Sequence, residues 1–374
     1  MWISRTGRSG ECGSVSGDMR IAFVSHQSRW WRKQRLAAKY LKMRLEGVIY
    51  PDVYCLAFML ADRFDFLLED EKVGRGKYDL ILAELGASEG QLRYLEALVE
   101  AGNPPVAVIP GPPAILSREL TEVKLGRVLR ILRGARHVWA YSRELKSFCD
   151  GLAGVERAVV IPWPYDFAAT RKLASGAGFG RTVRRHEGEK RRILVQVPMI
   201  FRGVTQNHPF VLKGVLSDVW RGLPEGARER ISFHTFVYDA GDAEAYKASE
   251  FALGLPFRLE KKMGYRVFLR FLAGCEGVIN LTSGSILGRI TYLAGALGRP
   301  GIFSDNCEVN ARLYPGSTVG MFDTARMRQL AGDLLRGAGS GGYPGLLPSE
   351  GAAAELGDFA ENRRRLRVLA EGGL

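Results

Sequence analysis

The sequence predicts an α/β protein made of two doubly wound parallel-sheet domains. Three observations carry that expectation. Strand and helix signals alternate along both halves of the chain, the order that yields parallel sheets joined by crossover helices. Short apolar runs such as Gly277-Val278-Ile279-Asn280-Leu281 have the character of strands covered on both faces. A chain of 374 residues with 46% hydrophobic content is long enough for two domains, each with a sizeable core.

The elements follow in order. Residues 1–18 are rich in Gly and Ser and lack the apolar region of a signal peptide, so a disordered N-terminal extension or a misassigned start is expected. Met19 then opens a first strand over 20–25, and further strands are expected at 78–84, 105–110, 136–141 and 157–162. Helices are expected at 29–46, 89–101, 118–133 and 142–153, with one short strand and a helix within 50–75. This N-terminal domain spans 19–166. Residues 167–190 hold Gly, Arg, Lys and Ser with few apolar residues and read as a linker. A second domain, 191–348, carries strands at 192–197, 231–237, 277–281 and 301–303 and helices at 208–221, 242–253, 264–274, 287–297 and 324–336. A glycine-rich loop at 337–347 precedes a final helix over about 350–371, within the terminal segment 349–374, which carries Arg363-Arg364-Arg365.

Residues 264–305 bear most directly on chemistry. Tyr265, Phe268, Leu269 and Leu272 recur at helical spacing, and the apolar run 277–281 follows as a strand. The turn Thr282-Ser283-Gly284-Ser285 then enters a second helix. Backbone N–H groups and the helix dipole converge at such a turn, which serves an anion such as a diphosphate. The plainer reading is an ordinary strand-to-helix turn capped by a serine.

This order of elements resembles the C-terminal domain of GT-B glycosyltransferases, particularly the family-4 (glycosyl transferases group 1) type. Leu272-Ala273-Gly274-Cys275-Glu276, Thr282-Ser283-Gly284-Ser285, Leu293-Ala294-Gly295-Ala296-Leu297-Gly298-Arg299-Pro300 and Ser304-Asp305 stand where that family has its helix-end phrase, phosphate loop, second helix and strand end. Tyr141-Ser142 through Val159-Val160-Ile161-Pro162 and Asp166 partly resembles the phrase that closes the family's first domain. Both glutamates of the family's E-x7-E pair are absent: their positions fall at about Ser285 and Leu293. The second of them normally grips the donor ribose.

The resemblance implies two Rossmann-like domains facing across a cleft, with a C-terminal helix crossing back to the first. It implies transfer of a sugar from a nucleotide-activated donor to an unknown acceptor, with donor contacts at Arg202, Gly203, Ser283, Gly284, Ser285 and the Leu293 position. Lys213 stands a helical turn or more beyond the family's phosphate lysine. Arg289, one turn into the helix after the serine turn, adds a cation or pairs on the surface with an acid.

Two residues at expected strand ends of the first domain are candidates for the chemistry. His26 ends the first strand, and Glu84 ends the strand over 78–84. An acceptor hydroxyl needs a general base unless the donor phosphate takes its proton. The alternatives are a structural or solvated histidine and a capping carboxylate. Arginine and a helix N-terminus can neutralise a diphosphate, and no D-x-D pair stands out, so metal-independent transfer is expected. No cofactor is expected, because the nucleotide sugar is itself a substrate. The other functional readings are a non-catalytic GT-B-like binding protein and a basic membrane- or nucleic-acid-associated protein.

The formal net charge is +13. It reflects either an arginine-rich solvated surface or an anionic partner such as a nucleotide, a membrane surface or nucleic acid. No zinc-finger or RNA-binding sheet motif is present, and no specific nucleic acid is expected. The run Arg29-Trp30-Trp31-Arg32-Lys33-Gln34-Arg35, continued by Lys39, Lys42 and Arg44, is the first helix of the sheet domain or a surface for an anionic membrane or lipid-linked acceptor. The acceptor is otherwise read as a glycan. No stretch approaches the length of a membrane span. Cys12, Cys55, Cys149, Cys275 and Cys307 are far apart with no C-x-x-C pair, which argues against a zinc site or a disulfide framework. A cytoplasmic protein, peripheral at the inner membrane face, is the resulting expectation.

Overall fold

The computed structural model describes residues 19–25, 63–86, 88–109, 121–161, 165–175, 190–195, 212–237, 244, 254–261, 263–281, 289–320, 322–337, 343 and 345–371. The chain divides into two compact units. One comprises residues 1–165 and 358–374, the other residues 166–357.

The first unit holds a six-stranded, all-parallel sheet. Its strands are β1 (Arg20–Val24), β2 (Arg63–Leu67), β3 (Leu80–Glu84), β4 (Val106–Val108), β5 (His137–Ala140) and β6 (Ala158–Val160), in the spatial order β2-β1-β3-β4-β5-β6. Phe23 lies opposite Leu82 and Val24 opposite Ala83. Every residue of β3 is buried, as the apolar run requires when helices cover both faces. The buried Trp139 donates its Nε1–H to the Ile161 carbonyl at 2.7 Å, so burial leaves its polar atom satisfied.

Helices α1 (Glu89–Glu100), α2 (Glu122–Gly134) and α3 (Arg143–Ala153) alternate with these strands. Each begins where a hydroxyl accepts a free helical N–H: Ser88 from Gln91, Thr121 from Lys124 and Ser142 from Leu145. Glu96 of α1 pairs with both Arg127 and Arg130 of α2. α3 ends at Gly154, whose φ of 70° is the left-handed turn that glycine adopts without strain.

The second unit begins with α4 (Phe167–Ser175) and holds a second parallel sheet. Its strands are β7 (Arg191–Val195), β8 (Ile231–Val237), β9 (Phe257–Lys261), β10 (Gly277–Asn280), β11 (Gly301–Ser304) and β12 (Thr318–Val319), in the order β12-β11-β10-β7-β8-β9. A π-helical stretch, Leu212–Ser217, continues as α5 (Asp218–Arg221), and α6 (Glu225–Glu229) leads into β8. The remaining helices are α7 (Tyr265–Ala273), α8 (Arg289–Ala296), α9 (Glu308–Leu313), α10 (Thr324–Arg336) and α11 (Glu350–Leu356). One face of the sheet packs Ile193, Val195, Ile231, Phe233 and Ile279 against Trp220 and Leu334. Gly277 suits this close packing: a Cβ at that position would sit 2.5 Å from a Leu334 methyl, so a larger residue would force the Leu334 side chain to move.

Several expectations need correction. Residues 167–175, read as linker, form α4, which buries Phe167, Thr170 and Ala174. Its Phe167 ring meets Tyr292 edge-on at 6.4 Å, and that packing overrides the weak local signal. The single helix expected over 350–371 is two, α11 and α12 (Phe359–Glu371), separated at Gly357-Asp358. Strands β9 and β12 and helices α6 and α9 were not foreseen. Within 50–75 the strand is β2, and residues 51–62 lie outside the described residues, as do the expected helix at 29–46 and nearly all of that at 242–253.

Candidate functional site

In an open parallel sheet, ligands gather outside the carboxyl ends of the strands, where the chain reverses its direction of winding. The two strand orders locate that point in each unit. In the first sheet it falls between β1 and β3, and in the second between β7 and β10.

At the first point stand Ser25, which follows β1, and Glu84, which ends β3. Ser25 Oγ donates to Glu84 Oε2 at 3.4 Å, and both residues are buried. Gln91 locks the backbone beneath them. Its Nε2 donates to the Glu84 carbonyl at 2.5 Å, and its Oε1 accepts the Gly86 N–H at 2.9 Å. The carboxylate is thus held in a fixed place at a strand end, at 8% exposure.

At the second point stands Asn280, the last residue of β10, 2% exposed. Its Oδ1 is buried and has no hydrogen-bond partner among the described residues. Such an orphan acceptor carries a desolvation cost of about 1–3 kcal/mol, and buried polar atoms are rarely left so. Beside it a buried polar network ties three elements together. Thr291 of α8 donates to Asn310 Oδ1 of α9 at 2.8 Å, and Asn310 Nδ2 donates to the Ser304 carbonyl of β11 at 2.8 Å. Ser304 Oγ donates to Asn306 Oδ1 at 2.7 Å. The network fixes the amino end of α8 against the carboxyl end of β11, so this edge is rigid and polar.

The sequence-derived candidates distribute as follows. Glu84 is at the first switch point. Arg289 opens α8 and is exposed; Leu293, one turn further on, is 4% exposed in a helix whose residues 290–296 are all buried. Lys213 lies in the π-helical stretch. His26, Arg202, Gly203, Ser283, Gly284 and Ser285 lie outside the described residues, as does the basic run 29–44. Sequence reading missed Asn280, Thr291 and Asn310. Asn280 is the one polar residue inside an apolar strand run, a signal in plain view. Thr291 and Asn310 are 19 positions apart and acquire meaning only on folding. Among the described residues, no group of three or more His, Cys, Asp or Glu side chains is placed to hold a metal ion, and no helix is long and apolar enough to cross a membrane.

No protein-family model matches the chain, and no curated protein matches it in sequence. Solved structures do match it. HepE (Alr3699) of Anabaena in complex with UDP and glucose superposes with a TM-score of 0.62 at 12% identity, over 93% of this chain and 98% of that one. The N-terminal domain of Candida albicans trehalose-6-phosphate phosphatase gives 0.59 at 12% identity, over 92% and 83%. An α,α-trehalose-6-phosphate synthase from Burkholderia multivorans gives 0.55 at 14% identity, over 90% and 75%. At these identities the likeness is one of fold. The chain has the GT-B class of α/β fold, with two six-stranded, Rossmann-like parallel sheets.

Proposed function

We propose that this chain is a glycosyltransferase that moves a sugar from a nucleotide-activated donor to a hydroxyl acceptor, without a metal. The observation that carries the reading is the buried Asn280 Oδ1 at the switch point of the second sheet, which has no hydrogen-bond partner among the described residues. An orphan acceptor at the point where open sheets bind their ligands is explained by a ligand that donates to it. The fold it shares with a protein solved in complex with UDP and glucose supports the same reading.

In this proposal the second unit binds the donor. Ser283, Gly284 and Ser285 hold the diphosphate with backbone N–H groups at the start of α8, joined by Arg202, Gly203, Lys213 and Arg289. Asn280 accepts from the nucleoside or sugar. In the first unit, Glu84 takes the acceptor proton, with His26 beside the acceptor. Leu293, where related proteins carry a glutamate, leaves the ribose without its usual acceptor, which favours a second reading: a protein that binds the donor without turning it over.

A thermal-shift screen of nucleotides and nucleotide sugars tests donor binding, because a ligand bound only by the native state adds about 2.7 kcal/mol at a hundred times its Kd. The expected result is a raised Tm with a nucleoside diphosphate that is lost in Gly284→Val, whose side chain blocks backbone approach. An unchanged Tm with every nucleotide overturns the reading. Release of nucleoside diphosphate on adding acceptor separates enzyme from binder. The run from Arg29 to Arg44 is proposed to dock on anionic membrane carrying the acceptor. Neutralising Arg29, Arg32 and Lys33 together is expected to lower sedimentation with anionic liposomes and leave nucleotide binding intact.

A further inference from the structure

The opposite, amino-terminal edge of the second sheet holds a cavity of about 900 Å³. Cations from separate elements line it: Arg171 of α4, Lys190 and Arg192 at the start of β7, and Arg299 just before β11. Two carboxylates accompany them, Glu276 and Glu350. Glu276 is already engaged, since it pairs with Arg191 and accepts from the Tyr343 hydroxyl at 3.4 Å. Among the described residues that line the cavity, cations outnumber carboxylates.

The Arg171 and Arg299 guanidiniums are held in place by backbone carbonyls. Arg171 Nε donates to the Ala296 carbonyl at 2.8 Å. Arg299 donates through Nε to the Leu297 carbonyl at 3.0 Å and through Nη1 to the Cys275 carbonyl at 3.4 Å. A guanidinium has five N–H donors, so anchoring through one or two leaves the remainder to face a ligand. The charges of Arg192 and Arg299 both bear on the thiol of Cys275, as does the opposing charge of Glu260, which is bonded to His234. Burial still pushes that thiol up to about 12, so it is a neutral wall and not a nucleophile. Like charges gathered around one concavity repel, and an anion removes the cost.

We propose that this cavity binds a phosphorylated small molecule, with the phosphate held among Lys190, Arg192 and Arg299 and Arg171 closing over it. The volume is in the range of small-ligand sites and far exceeds what inorganic phosphate fills. Leu347, a wall residue 51% exposed, offers apolar contact to an organic body. The site is distinct from the switch point proposed for the donor. β10 runs from Gly277 beside the cavity to Asn280 at the other edge, roughly 10 Å at about 3.3 Å per residue.

The test uses the full chain and amide hydrogen exchange. Ribose 5-phosphate is expected to protect the amides of residues 273–276 and 295–299, and to do so at concentrations at least tenfold below inorganic phosphate. Arg171→Gln with Lys190→Gln, both exposed positions that tolerate change, is expected to weaken that protection at least tenfold while leaving the nucleotide-induced Tm shift intact. Absence of protection at those amides, equal affinity of the double variant, or equal affinity for inorganic phosphate overturns the proposal. Arg299→Gln adds a second reading of the same kind from a half-buried position, and the double variant decides the matter if Arg299→Gln does not fold.

Discussion

The two switch points of this molecule sit in sheets of the same size and strand direction, yet they are finished differently. In the first unit the polar residue at the strand end is a carboxylate with its bonds made: Ser25 donates to Glu84, and Gln91 clamps the backbone below. In the second unit it is an amide whose oxygen is buried and unmet among the described residues, set beside a network in which Thr291, Asn310 and Ser304 satisfy one another. A carboxylate with its hydrogen bonds made is stable in the empty protein. An orphan amide is costly in the empty protein and is relieved when a ligand arrives. In the proposed function the first edge serves chemistry and the second binding, and four experiments test that division.

The largest effect is expected at Glu84. If it is the general base, Glu84→Gln removes a contribution of roughly 10²–10⁴-fold to turnover. Its shape and its bond from Ser25 are kept, so nucleotide affinity and Tm are expected to hold. Steady-state transfer kinetics beside a nucleotide titration check this. A Glu84→Gln protein that transfers at the parent rate removes the chemical role of the first edge.

Next is Leu293→Glu, which places an acid where the resemblance to GT-B glycosyltransferases leads one to expect it. Leu293 is 4% exposed, and its helix is buried on every side over 290–296. An uncompensated buried charge costs about 3–5 kcal/mol. The expected outcome is a large loss of Tm that added nucleotide partly recovers. Recovery by nucleotide beyond that seen in the parent would place the new carboxylate at the ribose; a destabilisation indifferent to nucleotide makes the position plain core.

Asn280→Leu is expected to act in two opposite directions. Removing an orphan acceptor relieves about 1–3 kcal/mol of desolvation, so the empty protein is expected to gain stability. Losing the hydrogen bond to the ligand is expected to weaken nucleotide binding about tenfold, which corresponds to about 1.4 kcal/mol. Chemical denaturation with and without nucleotide measures both. A variant that loses stability and keeps affinity would show the amide to be structural, and the contrast between the two edges would fail.

Much of this architecture was legible in the sequence, for a physical reason. Parallel strands covered on both faces are short apolar runs, and the nine strands read that way with stated ranges stand among the described residues at nearly the expected positions; the tenth, expected within 50–75, is β2. The unread pieces have other causes. β9, Phe257-Arg258-Leu259-Glu260-Lys261, is an edge strand half open to water, and its charges hide it. β12 has two residues, too few for any period. α4 takes its order from Tyr292 and the Ala296 carbonyl, far away in sequence. The same limit applies to the sites. Glu84 announces itself as a strand-end acid, whereas the importance of Asn280 depends on the crossing that makes β7 and β10 neighbours. The basic cavity depends likewise on three strand starts brought side by side.

The smallest effect concerns pH, and it again divides the two sheets. His234 in β8 is buried between partners: Nε2 lies 2.9 Å from Ser232 Oγ, and Nδ1 lies 2.7 Å from Glu260 Oε1. Burial lowers its pKa, the bond and charge of Glu260 oppose that, and Arg192 and Arg258 add to the lowering. His137, which opens β5 of the first sheet, is also lowered, by burial and then by Arg136 and Arg157. A histidine depressed in the folded state takes up fewer protons than the unfolded chain. Its stabilisation is therefore complete above the unfolded value of about 6.5 and is lost as pH falls through the folded value. The Tm is expected to decline on acidification below that point. His234→Gln cannot be protonated and is expected to flatten the decline in part, and His137→Gln to flatten the remainder. If nucleotide binds at the second edge as proposed, it is expected to raise the Tm of both variants alike at every pH. A profile unchanged by either substitution would assign the acid loss to other groups and leave His234 as packing against Phe271, whose ring lies 5.4 Å away.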